Sequence, residues 1–184
     1  MFDKFKSRAE AVSAEVHRFQ TKSGAFDFIM QFLKNEGVAD SPQSRAVWAE
    51  CSFLDGLDRK HLADEIPGLT FEVTRQAAAD SKVGITQMDW AMANTGTLVQ
   101  DSTQVAQRLA SSLPVIHMAL VASDTIVEDM PSLLKRINLK GIGYMSMITG
   151  PSRTADIERV LTIGVHGPER LIIVFVDGPG GLNR

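Results

Sequence analysis

The segment ITGPSRTADIERV, residues 148–160, joins an apolar run to a helix-like pattern through residues that can bind an anion. Gly-Pro makes a turn, and the serine and threonine that follow can cap a helix. A helix N-terminus presents free N–H groups with a partial positive charge, and Arg153 adds a guanidinium that suits a carboxylate or phosphate. The pattern therefore predicts an anion site at a helix start over 149–156, with five binding residues: Thr149, Gly150, Ser152, Arg153 and Thr154. Ordinary capping is the alternative, because Asp156 and Glu158 in the first turn would complement the helix dipole and Arg153 could pair with one of them.

The segment GVHGP follows the same predicted helix and holds His166 between two turn signals. Gly164 is expected to end the helix, and Gly167-Pro168 is expected to turn the chain toward a final strand. An imidazole in such a loop can act as an acid, a base or a hydrogen-bond donor, so His166 is a candidate catalytic residue and Gly167 a candidate for ligand binding. A histidine that only stabilises the turn is the alternative.

The segment NTGTLVQDS offers a third group of candidates, Thr95, Gly96 and Thr97. QMDWAMA, predicted as a short helical turn, precedes these residues, and a strand follows them. Gly96 permits close backbone approach, and the flanking hydroxyls could line a pocket. The same residues also suit an ordinary turn. Gln107, Arg108 and His117 are further candidates, although a lone histidine in an apolar run such as VIHMALV is usually a hydrogen-bonded core residue.

The first 37 residues are predicted to form a helical hairpin that packs on the body of the protein. Apolar residues recur at steps of three and four over 2–19 and again over 23–35, and Gly37 supplies a stop signal. Residues 1–37 are therefore predicted as an N-terminal helical segment, and 38–184 as an α/β domain.

Short apolar runs alternate with helical patterns from about residue 46 onward, which predicts an α/β fold with a largely parallel sheet. The run LIIVFV is nearly all apolar, as expected for a strand covered on both faces. Thr125 and Glu128 have the spacing of a capping box and predict a helix start. Ligands of open α/β sheets collect beyond the carboxyl ends of the strands, so the candidate loops are expected there.

Composition excludes several classes of function. The 184 residues are 44% hydrophobic with a formal net charge of −3 and no long basic run, so nucleic acid is not expected as a partner. No apolar run approaches the roughly 20 residues of a membrane span, and no secretory signal pattern is present, so a cytoplasmic protein is expected. Cys51 is the single cysteine and the four histidines are scattered, so neither a metal site nor an iron–sulfur cluster is expected in this chain.

Three blocks of the sequence, in order, resemble the LUD domain and specifically the LutC/YkgG family of lactate utilisation proteins: VGITQMDWAMANTGTLV, RLASSLPVIHMALV and ITGPSRTADIERVLTIGVHGPERLIIVFV. The resemblance implies a sandwich fold similar to the NagB/RpiA/CoA-transferase group. It also implies a role in bacterial oxidation of L-lactate to pyruvate, alongside two partner subunits that carry iron–sulfur clusters. It carries over no catalytic residues.

Two further functions stay open beside a cluster-free subunit that binds a small carboxylate. One is a stand-alone enzyme that acts on a phosphorylated or acyl metabolite, with His166, Asp101 or Asp156 as its acid–base residue; this rests on fold analogy alone. The other is an assembly or regulatory subunit with no small-molecule site.

Overall fold

The structure, a computed structural model, describes residues 1–157, 160–164 and 166–178. The helices of this part are α1 (Phe2–Ala11), α2 (Lys22–Asn35), α3 (Arg59–Glu65), α4 (Arg75–Ala79), α5 (Val105–Ser112) and α6 (Met130–Leu134). Its strands are β1 (Ala14–Phe19), β2 (Arg45–Trp48), β3 (Leu69–Thr70), β4 (Ser81–Met88), β5 (Trp90–Met92), β6 (Thr97–Asp101), β7 (Ile116–Ala122), β8 (Ile126–Val127), β9 (Met145–Ile148), β10 (Arg153–Ile157), β11 (Val160–Ile163) and β12 (Arg170–Val176).

A parallel sheet of six strands forms the centre of the fold, in the order β1-β12-β7-β4-β2-β3. This confirms the predicted α/β class with its largely parallel sheet. Residues 171–176 of β12 are all buried, which confirms that the LIIVFV strand is covered on both faces.

Two layers cover the central sheet and make the fold a sandwich. On one face, Ile29 and Leu33 of α2 pack in a cluster with sheet residues such as Met118. On the other face, Phe5 of α1 packs with Phe175 and with the second sheet, whose strand order is β8-β5-β6-β9. Helix α5 also lies on this second face, against β4. Among the described residues, no helix is long and apolar enough to cross a membrane.

The predicted N-terminal helical hairpin is wrong, because a strand lies between the two helices. Helix α1 ends at Ala11, and Ser13 then adopts a positive φ of 71° that turns the chain into β1. Strand β1 pairs in parallel with β12, with Val16 opposite Ile173. Alternation of buried and exposed residues along β1 matches a strand with one covered face, a pattern that the longer helical spacing had obscured.

Two shorter helix predictions are also wrong. QMDWAMA belongs largely to β4 and β5: Met88 and Ala91 pack between the two sheets, and Trp90 packs in a separate cluster with residues of the second sheet and α6. The capping box at Thr125 does not begin a helix: Thr125 Oγ1 donates instead to the carbonyl oxygen of Ala122, 2.9 Å away. Helix α6 starts at Met130, where the Asp129 carboxylate accepts from the N–H of Ser132.

The helix start predicted over 149–156 is a β-hairpin. Strands β10 and β11 pair antiparallel, with Arg153 opposite Ile163 and Thr154 opposite Thr162. Both strands contain β-branched residues, which favour extended backbone, and each strand supplies the other's hydrogen bonds. Gly164 therefore follows a strand rather than ending a helix. The side chains of residues 154–157, including Thr154 and Asp156, lie outside what the structure describes.

Candidate ligand-binding cavity

A cavity of about 250 Å³ opens at the amino-terminal ends of β7 and β12, between the central sheet, the end of α5 and the loops before β10 and β12. It is lined by Ser111, Ser112, His117, Met147, Ile148, Thr149, Gly150, Pro151, Ser152, His166, Gly167, Pro168 and Leu171. The cavity thus brings together two of the three predicted loops. The expectation that these loops meet beyond the carboxyl ends of the strands is wrong, because His117 is the second residue of β7.

His117 lies in the cavity wall and is 1% exposed. Its Nε2 atom lies 2.8 Å from Oγ1 of Thr86, which is fully buried on β4. Burial lowers the pKa of His117 to about 4, because the charged imidazolium would lose its hydration. The ring is therefore neutral at pH 7. The expectation of a hydrogen-bonded core histidine is confirmed, but the residue also faces open space.

Three threonine hydroxyls form a chain behind one wall of the cavity. Thr97 Oγ1 lies 2.7 Å from Thr149 Oγ1 and donates to Thr95 Oγ1 over 2.7 Å. A hydroxyl has one proton, so Thr149 is the donor to Thr97. Thr149 lines the cavity, whereas Thr95 and Thr97 support it from the second sheet.

The backbone at the end of α1 and just after it packs closely against Gly96 and Gly150. Both have positive φ, 68° and 71°. A Cβ at Gly96 would lie 2.5 Å from the backbone nitrogen of Ala9, and one at Gly150 would lie 2.6 Å from the carbonyl oxygen of Val12. Backbone packing therefore accounts for both glycines, and Gly150 in addition lines the cavity.

Arg153 does not reach the cavity lining. Its Nη2 donates to the carbonyl oxygen of Val12 and to Oγ of Ser13, each over 2.8 Å. The guanidinium thus holds the α1–β1 corner against the start of β10. Its predicted helix-start setting is absent, because the chain at 153–157 is a strand.

The two predicted loops at Ser152 and His166 are joined by backbone hydrogen bonds. Ser152 N–H donates to the carbonyl oxygen of Pro168 over 2.8 Å, and Gly164 N–H donates to the carbonyl oxygen of Ser152 over 3.0 Å. Gly167 packs beside Ser152, where an added Cβ would lie 3.1 Å from the serine Cβ. His166 is exposed at the rim of the cavity.

The prediction omitted the two serines that α5 supplies to the cavity wall. Ser111 and Ser112 end α5, and both hydroxyls donate back to the carbonyl oxygen of Arg108. The short connection SSLPVIH, which brings these serines and His117 together, was the available signal.

Metal ligation is not indicated within 1–157, 160–164 and 166–178, where no group of three or more His, Cys, Asp or Glu side chains is placed to hold an ion. Cys51 is partly buried, and burial raises the pKa of its thiol.

Comparison with known proteins supports the fold and the family. The sequence profile of the LUD domain matches residues 2–176. A crystal structure of a DUF162 family protein from Deinococcus radiodurans superposes with a TM-score of 0.62 at 17% identity, covering 95% of each chain, which shows a shared fold.

Several similar proteins carry the name Lactate utilization protein C. The one from Exiguobacterium is 36% identical over 111 residues, covering 57% of this chain and 48% of the relative. The one from Halalkalibacterium halodurans is 33% identical over 108 residues, covering 55% and 47%, and the one from Oceanobacillus iheyensis is 33% identical over 131 residues, covering 68% and 54%. The aligned region thus spans about half the length of these relatives. Because the LUD profile extends over nearly the whole chain, from the first helix to the last strand of the central sheet, the chain belongs to the LUD domain family.

Proposed function

We propose that this protein acts in lactate utilisation as a subunit without an iron–sulfur cluster, and that it binds a small carboxylate in the cavity beside His117. The cavity is the observation that carries the proposal, because it joins a buried neutral imidazole to the loops at Ser152 and His166. The names of the similar proteins supply the pathway.

The size of the cavity favours a small metabolite. Its volume of about 250 Å³ lies below the range of about 300–1,000 Å³ that is usual for drug-sized ligands. This space is enough for a three-carbon acid such as L-lactate or pyruvate.

The chemistry of the lining suits an anion or another oxygen acceptor. Among the described residues that line the cavity, none has a carboxylate that would repel an anion, and none has a permanent positive charge. The polar groups are the hydroxyls at 111, 112, 149 and 152 and the imidazoles of His117 and His166. The hydroxyl of Ser152 and the neutral ring of His117 would bind a carboxylate by hydrogen bonds rather than by charge pairing.

The redox chemistry of such a system is proposed to lie on partner subunits that carry iron–sulfur clusters. Cys51 is the single cysteine of this sequence, and its thiol is partly buried and has a raised pKa, so it is a poor thiolate ligand. The chain would then contribute a binding surface or a carboxylate site to the assembly. A cytoplasmic location follows from the same proposal.

The test is complementation of a strain that lacks the gene, grown on L-lactate, with Ser112→Phe as the blocking variant. Ser112 is exposed and lines the cavity, so a phenyl ring there fills the opening without disturbing the core. Val105→Phe is the matched control, because Val105 is 56% exposed at the other end of α5. We expect growth with the wild type and the control, and poor growth with Ser112→Phe.

Anaerobic affinity purification from lactate-grown cells tests the partner. Iron-rich partner proteins and lactate-dependent dye reduction in the eluate would support the subunit role. Growth on L-lactate without the gene would overturn the proposed role in lactate utilisation. Full growth with Ser112→Phe would keep that role but overturn the proposal that the cavity binds a ligand, as expected for an assembly subunit.

A further inference from the structure

We propose that His117 binds a ligand oxygen in the cavity through its Nδ1–H group, and that Thr86 fixes the ring in the tautomer that provides this donor. The proposal rests on the proposed function for the identity of the ligand, a small carboxylate. Its structural part, the tautomer of His117, stands by itself and is tested separately.

The Thr86 hydroxyl decides where the proton of the neutral ring lies. Oγ1 of Thr86 lies 2.8 Å from Nε2 of His117 and 3.5 Å from the sulfur of Met88. A hydroxyl can donate its single proton to one of them, and an imidazole nitrogen is a far better acceptor than a thioether sulfur. The other arrangement, in which Nε2–H donates to Thr86 and Thr86 donates to the sulfur, would give the hydroxyl proton to the weaker acceptor. The proposal is therefore that Thr86 donates to Nε2 and that the ring proton is on Nδ1.

Nδ1 has no hydrogen-bond partner among the described residues, and His117 lines the cavity. The buried side-chain atoms that lack a partner, within the described part of the chain, are Nε1 of Trp48 and Oγ of Ser123. His117 Nδ1 is not among them, and the residue lines the cavity. On this proposal, Nδ1–H faces the cavity and donates to the ligand.

Most of the other hydroxyl protons around the cavity are already used. Ser111 and Ser112 donate to the carbonyl oxygen of Arg108, and Thr149 donates to Thr97. Within the described residues, this leaves Ser152 and the two imidazoles as side-chain donors toward the cavity. Of these, His117 is the most deeply buried, so its hydrogen bond is the least weakened by competing water.

The tautomer is tested first, on the uniformly ¹⁵N-labelled protein without ligand at pH 7. Long-range ¹H–¹⁵N correlation spectra distinguish the protonated from the unprotonated ring nitrogen, and His117→Asn identifies the signals. We expect a protonated Nδ1 and an unprotonated Nε2. A protonated Nε2 would overturn the proposal whether or not the protein binds any carboxylate. Thr86→Val, which removes the hydroxyl, should shift the signals toward the other tautomer, and Thr86→Ser should not.

Binding is tested next, by titration with L-lactate and with pyruvate. His117→Asn keeps an N–H donor at the same distance from Cβ as Nδ1, whereas His117→Leu removes it. We expect His117→Leu to weaken binding about tenfold or more, as for loss of a hydrogen bond to a charged group, and His117→Asn to weaken it less. The Nδ1 signal of the wild type should move on titration.

The outcomes separate the two proposals. Binding that is equally strong in the wild type and His117→Leu, with an unmoved Nδ1 signal, would overturn the role of His117 and leave the carboxylate site intact. If neither acid binds and the protonated Nδ1 is found, the tautomer stands, but the donor role of His117 toward a carboxylate fails together with the carboxylate site.

Discussion

The space beyond the carboxyl ends of the central strands holds packed amide side chains, whereas the space at their amino ends holds a cavity. Beyond the carboxyl ends of β2 and β4, the Gln87 side chain accepts from the N–H of Phe53 over 3.1 Å and donates to Oγ of Ser52 over 2.9 Å. Gln100 extends this network by donating to the carbonyl oxygen of Gln87 and to Gln107. At the amino ends of β7 and β12, by contrast, the chain leaves a cavity beside His117.

This difference shows that the usual position of ligands in a fold class does not by itself locate the site in one protein. Ligands of open α/β sheets usually bind beyond the carboxyl ends of the strands, yet here amide side chains occupy the space beyond β2 and β4. The amino end has the open space, the buried neutral histidine and the short loops. We therefore assign the ligand site from the lining residues and treat the glutamine network as structural.

The largest effect is expected from Gly84→Ala, which disturbs the packing at the amino end of the central sheet. Gly84 lies on β4, and a Cβ there would overlap the carbonyl oxygen of Ala110 on α5. Helix α5 would have to move, and it carries two serines of the cavity wall. We expect a loss of about 3 kcal/mol in the free energy of unfolding, measured by urea denaturation. Gly143→Ala is the control, because its Cβ meets nothing closer than 3.5 Å. A Gly84→Ala protein as stable as this control would contradict the packing described here.

A comparable effect is expected from pH, because the amino end contains a buried titratable group. The folded pKa of His117 is about 4, below the ordinary value of 6.5, so the unfolded chain takes up the proton first as the pH falls. The free energy of unfolding should therefore decrease between about pH 6.5 and 4, by on the order of 3 kcal/mol. Urea denaturation at pH 7 and pH 5 measures most of this difference.

His117→Asn is the control for the pH experiment, since it removes the titrating ring. His17 contributes in the same direction, because burial lowers its pKa too, and His17→Asn measures that share. Glu36 and Asp177 have lowered pKa values through their ion pairs, so their loss of stability comes at lower pH. An unchanged pH dependence in His117→Asn would show that the ring is not the responsible group.

A moderate effect is expected at the carboxyl end from Gln87→Met, which keeps the length of the side chain and removes its hydrogen bonds. Phe53 N–H and Ser52 would each lose a partner. We expect a loss of about 1–2 kcal/mol in the free energy of unfolding and no change in the affinity for L-lactate or pyruvate. A loss of affinity matching that of Ser112→Phe would mean that the two ends are not separate, and titration of both variants decides this.

Local patterns in the sequence were sufficient to predict the class of fold. Runs such as LIIVFV and VIHMALVA have the composition of buried strands, and the structure places them side by side as β12 and β7. The strand β1 was missed because 2–19 reads as one helical spacing when the pairing with β12 is unknown. Strand partners lie far apart in sequence, so local periodicity does not detect them.

The candidate site was predicted in part for the same reason. Thr149, Ser152 and His166 were found from local turn signals, and the cavity contains all three. The role of His117 depends on Thr86, which is 31 residues away and reaches it only through the pairing of β4 with β7. The segment 153–163 contains both strands of a hairpin, β10 and β11. A helix was predicted there because two short strands and a helix have similar apolar patterns over so few residues.

The smallest expected effect is that of replacing Arg153. It tests whether the ligand binds in the cavity beside His117 or at the segment that the sequence predicted as a helix start. The guanidinium is exposed and bonds to Val12 and Ser13, away from the cavity lining. Arg153→Met should therefore cost at most about 1 kcal/mol in the free energy of unfolding and leave the affinity for pyruvate within about twofold, since an exposed hydrogen bond contributes little. Arg153→Lys, which keeps the charge, is the control. An affinity that falls tenfold in Arg153→Met and recovers in Arg153→Lys would mean that the charge of residue 153 reaches the ligand. The anion site would then lie at the start of β10 rather than beside His117.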